Sequence, residues 1–424
     1  MIDAFSLPDL RTRILFTIGI LILFRLVAHI PLPGIDLTKL NALFNQTPLL
    51  GMLDMFSGGA LRRFSVAAMG VYPYITASII ITILQPVIPQ LQALSMEGEA
   101  GRNKINTITH WLTVPLAALE SYGQLTYLRS QGIIGDTAIL PMTTMVVSMI
   151  AGTIFLIWLG ELITEHGIGN GISIIIFGGI VAGFPQTIGQ AGLLGSGNLT
   201  GLIVYALIGL ATIVLIVYFT EAHRRIPVQY AKSVFKGGRM YKQSGSTHIP
   251  IRVNTAGMIP LIFAMSVVLF PGIIASYFMG PSNAPNFANS IYNWFTPNAA
   301  LPVGLVYWGL YFLLTIGFAF FYTFVIFQQQ DLPGVLQKQG GFIPGIRPGS
   351  QTKKYLDAVI GHITWAGALF LGVVAVVPFI AQNLTGIQLQ FSSMGLIIVV
   401  GVVLDTMKQL EAQLVMRRYE GFIK

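Results

Sequence analysis

Residues 199–219, LTGLIVYALIGLATIVLIVYF, run without one charged side chain. A helix of about 20 apolar residues crosses the hydrocarbon core of a bilayer, and this stretch has no charged face to turn toward water. Nine further stretches of similar character occupy 14–31, 65–91, 107–128, 141–160, 168–184, 254–278, 301–327, 359–381 and 391–407. Lipid is therefore the solvent for most of the chain, and the expected class is an all-α polytopic membrane protein with ten transmembrane helices. The whole composition agrees. The 424 residues are 54% hydrophobic and 9% charged, against about 25% charged in a soluble domain, and the mean hydropathy is +0.73. A soluble globular enzyme is excluded, and the 46 Gly and 22 Pro carry no collagen period.

Between the first two spans, 49–64 begins apolar but carries Asp54, Ser57-Gly58-Gly59 and Arg62-Arg63. Such a segment cannot cross a bilayer, and a re-entrant half-helix is expected. Irregular backbone is tolerated at membrane depth only where protein or a water-filled cavity surrounds it. Met1 to Arg13 is polar and proline-bearing, so no cleavable signal peptide is expected.

Basic residues set the orientation. With the N-terminus inside, the inner segments hold nineteen of the 24 Lys and Arg, leaving Lys39, Arg62, Arg63 and Arg129 outside and Arg25 within a span. The positive-inside rule then puts both termini in the cytoplasm. The formal charge of +8 becomes a one-sided basic face suited to anionic lipid or nucleic-acid phosphate. Ten spans divide into five and five, at 1–198 and 199–424, so the second half begins on the opposite side from the first. An inverted repeat follows if the halves share a fold. The inner segments 221–253 and 328–356 are rich in Lys, Arg, Gly and Pro and far exceed the 2 to 8 residues of a usual helix connection. They serve either a partner or topology alone.

Catalytic chemistry is missing. The chain has no Cys, its six His show no metal-ligand spacing, and no hydrolase or nucleotide-binding motif occurs. Neither an enzyme nor a cofactor is expected. Arg25 and Glu120 are the ionisable groups deepest in the spans; they read as interfacial anchors or bundle contacts, or as members of a proton relay.

The run Met55-Phe56-Ser57-Gly58-Gly59-Ala60-Leu61, then Tyr72-Pro73-Tyr74-Ile75-Thr76-Ala77-Ser78-Ile79-Ile80, then Glu97-Gly98-Glu99-Ala100-Gly101-Arg102, resembles the second-helix region of the SecY family, the central subunits of bacterial protein-conducting channels. Gly167-Ile168-Gly169-Asn170-Gly171-Ile172-Ser173, Arg224-Arg225-Ile226-Pro227, Pro250-Ile251-Arg252-Val253-Asn254 and Phe342-Ile343-Pro344-Gly345-Ile346-Arg347-Pro348-Gly349 extend the resemblance in order along nearly the whole chain.

The resemblance implies two inverted five-helix halves around a central pore, with a plug at about 49–61 that includes Met52, Leu53, Asp54, Met55, Phe56, Ser57, Gly58 and Gly59. It places a pore ring at Val71, Ile75, Ile172, Ile176, Ile262 and Ile398, and a lateral gate at Thr76, Ile80, Thr82 and Phe270. A narrow ring of branched apolar side chains gates by dewetting and offers a hydrated ion no ligand. Val71 is smaller than the isoleucine often found there, and Thr82 stands where a longer amide is expected. Motor or ribosome contacts fall on Arg224, Arg225, Lys232, Lys236, Arg239, Arg347, Lys353 and Lys354. The implied partners are SecE and SecG as small membrane subunits, the motor ATPase SecA, the ribosome, signal peptides and nascent chains, and the bilayer of the bacterial cell (inner) membrane. A secondary transporter for a small solute is the competing reading, but it asks for charged or discontinuous-helix ligands at the midplane.

Overall fold

The computed structural model describes residues 8–46, 50, 54, 57–135, 139–195, 199–236, 239–278, 287–297, 302–385 and 393–423. A helix lies over each of the ten apolar stretches: α1 (Pro8–Val27), α3 (Tyr72–Leu84), α5 (Glu99–Ser130), α6 (Ile139–His166), α7 (Gly171–Gly195), α8 (Leu199–Glu221), α9 (Ile259–Tyr277), α11 (Gly304–Gln330), α13 (Ser350–Thr385) and α14 (Ser393–Ile423). Shorter helices α2 (Leu37–Gln46), α4 (Pro89–Met96), α10 (Phe287–Trp294) and α12 (Leu332–Lys338) lie between them. Among the described residues, four helices are long and apolar enough to span a membrane by length and composition, or five if the bent pair α3 and α4 counts as one; 171–185 and 259–275 are shorter apolar helices.

The second span differs from its expected extent of 65–91. Residues 66–71 form turns, with Gly70 at φ +57°, and α3 begins with Pro73 in its first turn, where proline's missing N–H costs nothing. It stops before Gln85-Pro86 because Pro86 has no N–H to continue the ladder. The chain then turns by 100° into α4, which again opens on a proline, Pro89.

The segment 221–253 is not a loop. It forms a long antiparallel hairpin, β1 (His223–Lys236) and β2 (Arg239–Arg252), paired from His223↔Arg252 to Lys236↔Arg239. A third strand, β3 (Gly341–Phe342), joins the β1 edge through Gln229↔Phe342 and Tyr230↔Gly341, giving the order β2-β1-β3. The helical membrane portion is as expected, and the sheet is the departure from an all-α chain. Its physical reason is the period-two burial of Ile226 and Val228 around exposed Pro227.

The chain forms two compact units: 1–209, 266–309 and 378–424 in one, 210–265 and 310–377 in the other. In the first, close approaches at small residues hold the helices. A Cβ built on Gly152 would overlap the Val66 carbonyl, and one on Gly171 the Gly160 carbonyl. Without a hydrophobic force between helices in lipid, such backbone proximity supplies the packing. A buried cluster including Leu40, Phe44, Leu61, Phe64, Leu125, Leu128 and Met149 joins α2 to α5 and α6.

In the second unit the base of the hairpin is embedded in its own cluster. Ile226, Val228 and Ile251 pack with Phe327, Leu336, Ile343, Leu356, Ile360 and Ile363. Aromatic contacts add to it: Phe219 stacks on Phe370 at 4.1 Å, and Phe320 meets Trp365 edge-on at 5.0 Å. Gly372 gives α13 its close approach to Phe312 of α11.

Candidate functional site

The plug-like segment is organised around Asp54 and Ser57. The Asp54 carboxylate accepts from the Arg62 backbone N–H at 2.9 Å and from the Ser57 hydroxyl at 3.3 Å, while the Asp54 carbonyl accepts from Gly59 N–H at 3.0 Å. Ser57 Oγ in turn accepts from Leu61 N–H at 3.0 Å. Side-chain oxygens thus satisfy backbone donors that irregular chain leaves open. The Arg62 Nε stands 3.9 Å from the Asp54 carboxylate, and its guanidinium lies 5.4 Å from the Phe44 ring centre. Met52, Leu53, Met55 and Phe56 lie outside the described residues.

Gly58 and Gly59 have φ of +68° and +82°, conformations that glycine adopts without a Cβ clash. Gly58 is also seated tightly. An added Cβ would come within 2.7 Å of Gly179 Cα on α7 and 2.9 Å of the Phe24 ring on α1. Its carbonyl accepts from the Arg25 guanidinium at 2.5 Å. Of the two readings of Arg25, the bundle contact is the one seen: it ties the first span to the plug-like segment across 33 positions.

Of the ring residues, Val71, Ile75, Ile176, Ile262 and Ile398 are buried, and Ile172 is half-buried, with its Cγ1 against Gly160. Val71 immediately precedes α3 and Ile75 lies one turn along it; Ile172 and Ile176 repeat that spacing on α7, which packs against the helix carrying Ile398. Ile262 belongs to the second unit.

At the proposed gate, Thr76 and Thr82 bond back to the carbonyls of Tyr72 and Ser78, as threonines in apolar helices do. Ile80 is half-buried on the same helix. Phe270 is 59% exposed on α9.

The glycine-rich turn from 167 to 173 is structural. Gly169 has φ +79°, the Asn170 side chain accepts from Ser173 N–H at 3.1 Å, and Thr164 Oγ accepts from Gly171 N–H at 2.9 Å. This caps α7 and fixes the entry of Ile172 and Ile176.

The basic residues sit on the sheet and its neighbouring turn. Arg224 and Arg225 are exposed beside buried Ile226. Lys232, Lys236 and Arg239 lie on the outer hairpin, paired with Gln243, Arg239 and Lys236. Arg347, Lys353 and Lys354 are exposed, and the Thr352 hydroxyl donates to the Arg347 carbonyl at 3.0 Å, closing the turn before α13. Because β3 pairs with β1, the segments 221–253 and 328–356 form one surface, which their separate sequences did not reveal. No cluster of three metal-ligating side chains occurs among the described residues; His110 and Glu161 form a simple pair at 3.3 Å.

A polytopic helical membrane protein with a capped re-entrant segment seated among its spans has the architecture of a protein-conducting channel. The solved structure of such a channel matches with a TM-score of 0.67 at 17% identity, over 96% of this chain and 93% of that one. Sec61 in the canine ribosome-channel complex from the endoplasmic reticulum matches at 0.65 and 17%, over 96% and 93%. The SecY family model matches residues 65–407, and the protein translocase subunit SecY of Streptomyces scabiei is 42% identical over 99% of this chain and 98% of its own length. The chain belongs to the SecY family and is a protein-conducting channel subunit. The solute-transporter alternative is set aside.

Proposed function

We propose that the chain passes unfolded polypeptides across the bacterial cell membrane through a ring of Val71, Ile75, Ile172, Ile176, Ile262 and Ile398, closed at rest by the segment around Asp54 to Gly59. Hydrophobic segments leave sideways past Thr76, Ile80, Thr82 and Phe270. The halves 1–198 and 199–424 flank the pore, with both termini in the cytoplasm, as the basic bias favours. SecE and SecG complete the membrane complex. SecA or the ribosome supplies the drive at the surface carrying Arg224, Arg225, Lys232, Lys236, Arg239, Arg347, Lys353 and Lys354; clustered cationic residues suit carboxylate or rRNA phosphate.

The observation that carries this reading is the seat of Gly58, pinned between Phe24 and Gly179 and held by Arg25. A scaffold or solute carrier has no use for a glycine segment lodged in this way. The test is ion flux through vesicles reconstituted with the chain, SecE and SecG. Gly58→Val places a branched side chain where backbone already stands, so it should unseat the segment and raise resting ion leak, while SecA-driven import of a secretory precursor continues. Equal tightness of the variant and the parent would reject the plug.

A further inference from the structure

Helix α3 carries Ile75 and has little support at its ends. Its 13 residues rise about 20 Å, short of the roughly 30 Å of a bilayer core. The turns at 66–71 lead into it and the 100° bend into α4 leads out of it, so no collinear helix steadies either end. Its position is set from the side. The Tyr74 ring, one residue before Ile75, meets the His110 imidazole of α5 with centroids 5.5 Å apart and a tilt of 52°, within the range where aromatic pairs attract. His110 Nε2 stands 3.3 Å from Glu161 Oε1 of α6. Helix α5 packs against both α3 and α6, and all three belong to the first unit.

We propose that His110 and Glu161 are positioning residues that hold α3, and with it Ile75, through the Tyr74 ring. Two observations carry this. The imidazole is the shared member: it meets a ring on one helix and a carboxylate on another, so the acidic group on α6 orients the plane against which α3 rests. The pair also stands at a depth where polarity is costly, His110 within the apolar stretch 107–128 and Glu161 one residue past 141–160. An apolar side chain would fill the same space without a desolvation penalty, so filling space does not account for the pair. The holding of α3 needs no assignment of the pore, whereas its consequence for ion flow rests on the ring proposed above.

The chain has no Cys, so paired spin labels report on α3 without background. In vesicles holding the chain with SecE and SecG, labels at Val87→Cys, in the turn after α3, and Val147→Cys, on α6, both at exposed positions, give the distance between the two helices. His110→Leu removes both contacts. The displaced population should grow about tenfold, the combined effect of one aromatic contact and one ion pair. Glu161→Gln, at a side chain 47% exposed and so easily accommodated, should displace α3 to a smaller extent. His110→Arg keeps a planar group that stacks on the ring and pairs with the carboxylate, and should leave the distances as in the parent. Tyr74→Phe keeps the ring and should do the same. Resting ion leak should follow the displaced population. Distances unmoved in both His110→Leu and Glu161→Gln, or an arginine variant as displaced as the leucine one, would overturn the proposal. Distances that move while the leak stays flat would sustain the holding of α3 and count against Ile75 in the pore.

Discussion

The carboxylate of Asp54 holds the backbone N–H of Arg62, eight positions on, at 2.9 Å. The chain between them contains Gly58, which rests against Gly179 of α7, so the carboxylate sets the shape of the seated segment.

Asp54→Ala removes that acceptor and the one for Ser57. A buried N–H left without a partner costs about 1–3 kcal/mol, so the segment should loosen. Hydrogen exchange at Gly59, Leu61 and Arg62 should accelerate, and resting ion leak should rise. Asp54→Asn keeps an acceptor oxygen and should fall between the variant and the parent. Unchanged exchange in the alanine variant would show that Ser57 and Arg25 suffice.

Ile398, 1% exposed on α14, is the proposed ring member to test for dewetting. An amide at this position favours the hydrated pore. Ile398→Asn should therefore admit precursors with defective signal sequences in a secretion assay, and Ile398→Leu should not. An unaltered signal requirement in the asparagine variant removes Ile398 from the pore.

Arg347 tests the proposed docking surface. Its turn is closed through the backbone by Thr352, so the guanidinium can be replaced without dismantling the loop. Arg347→Glu should lower SecA-driven secretion by about tenfold, the loss expected for reversing one close charge pair, with normal levels of the chain in the membrane. Normal secretion kinetics would leave Arg347 as a solvated turn residue.

Asp36, at the start of α2, lies outside the spans. Its carboxylate bonds the Thr38 hydroxyl and the N–H groups of Thr38 and Lys39, and these hold its pKa below the usual aspartate value, the Thr38 hydroxyl contributing most. A depressed folded value means the stabilisation is complete above the ordinary carboxylate pKa and lost as pH falls through the lowered one. Exchange at Leu40 and its neighbours should thus rise only in strong acid, and Thr38→Ala should move that rise to higher pH. An identical acid profile in the variant would remove the hydroxyl as the cause.

Spans were legible because uninterrupted apolar runs report the solvent directly, whatever their period. The re-entrant segment was legible from Asp54, Gly58 and Gly59, polar and flexible residues in an apolar context. Its seat was not, because Gly179 and Arg25 are distant in sequence and nothing local marks them as partners. The ring isoleucines are chemically identical to packing isoleucines, so only the family resemblance singles them out. The hairpin was overlooked although its signs were present: Ile226-x-Val228 on one strand, Ile249-x-Ile251 on the other, and Gly237-Gly238 as the two residues between paired Lys236 and Arg239, a pair favoured in two-residue turns. Abundant Lys and Arg disguised the alternation. Helix α2 was overlooked for a related reason, since ten residues with a single buried face are too short to announce themselves.

The β2-β1-β3 sheet has a mechanical consequence. Its inner end is clamped at Ile226, Val228 and Ile251, while β3 grips β1 at Gln229 and Tyr230. From Tyr230 to Lys236 the free part of the hairpin extends about 20 Å at 3.3 Å per residue. A load at its end is therefore borne as a bending moment about the Tyr230 fulcrum, and β3 passes that moment into the turn that carries Arg347. Two segments far apart in sequence, 221–253 and 328–356, are thus joined into one lever.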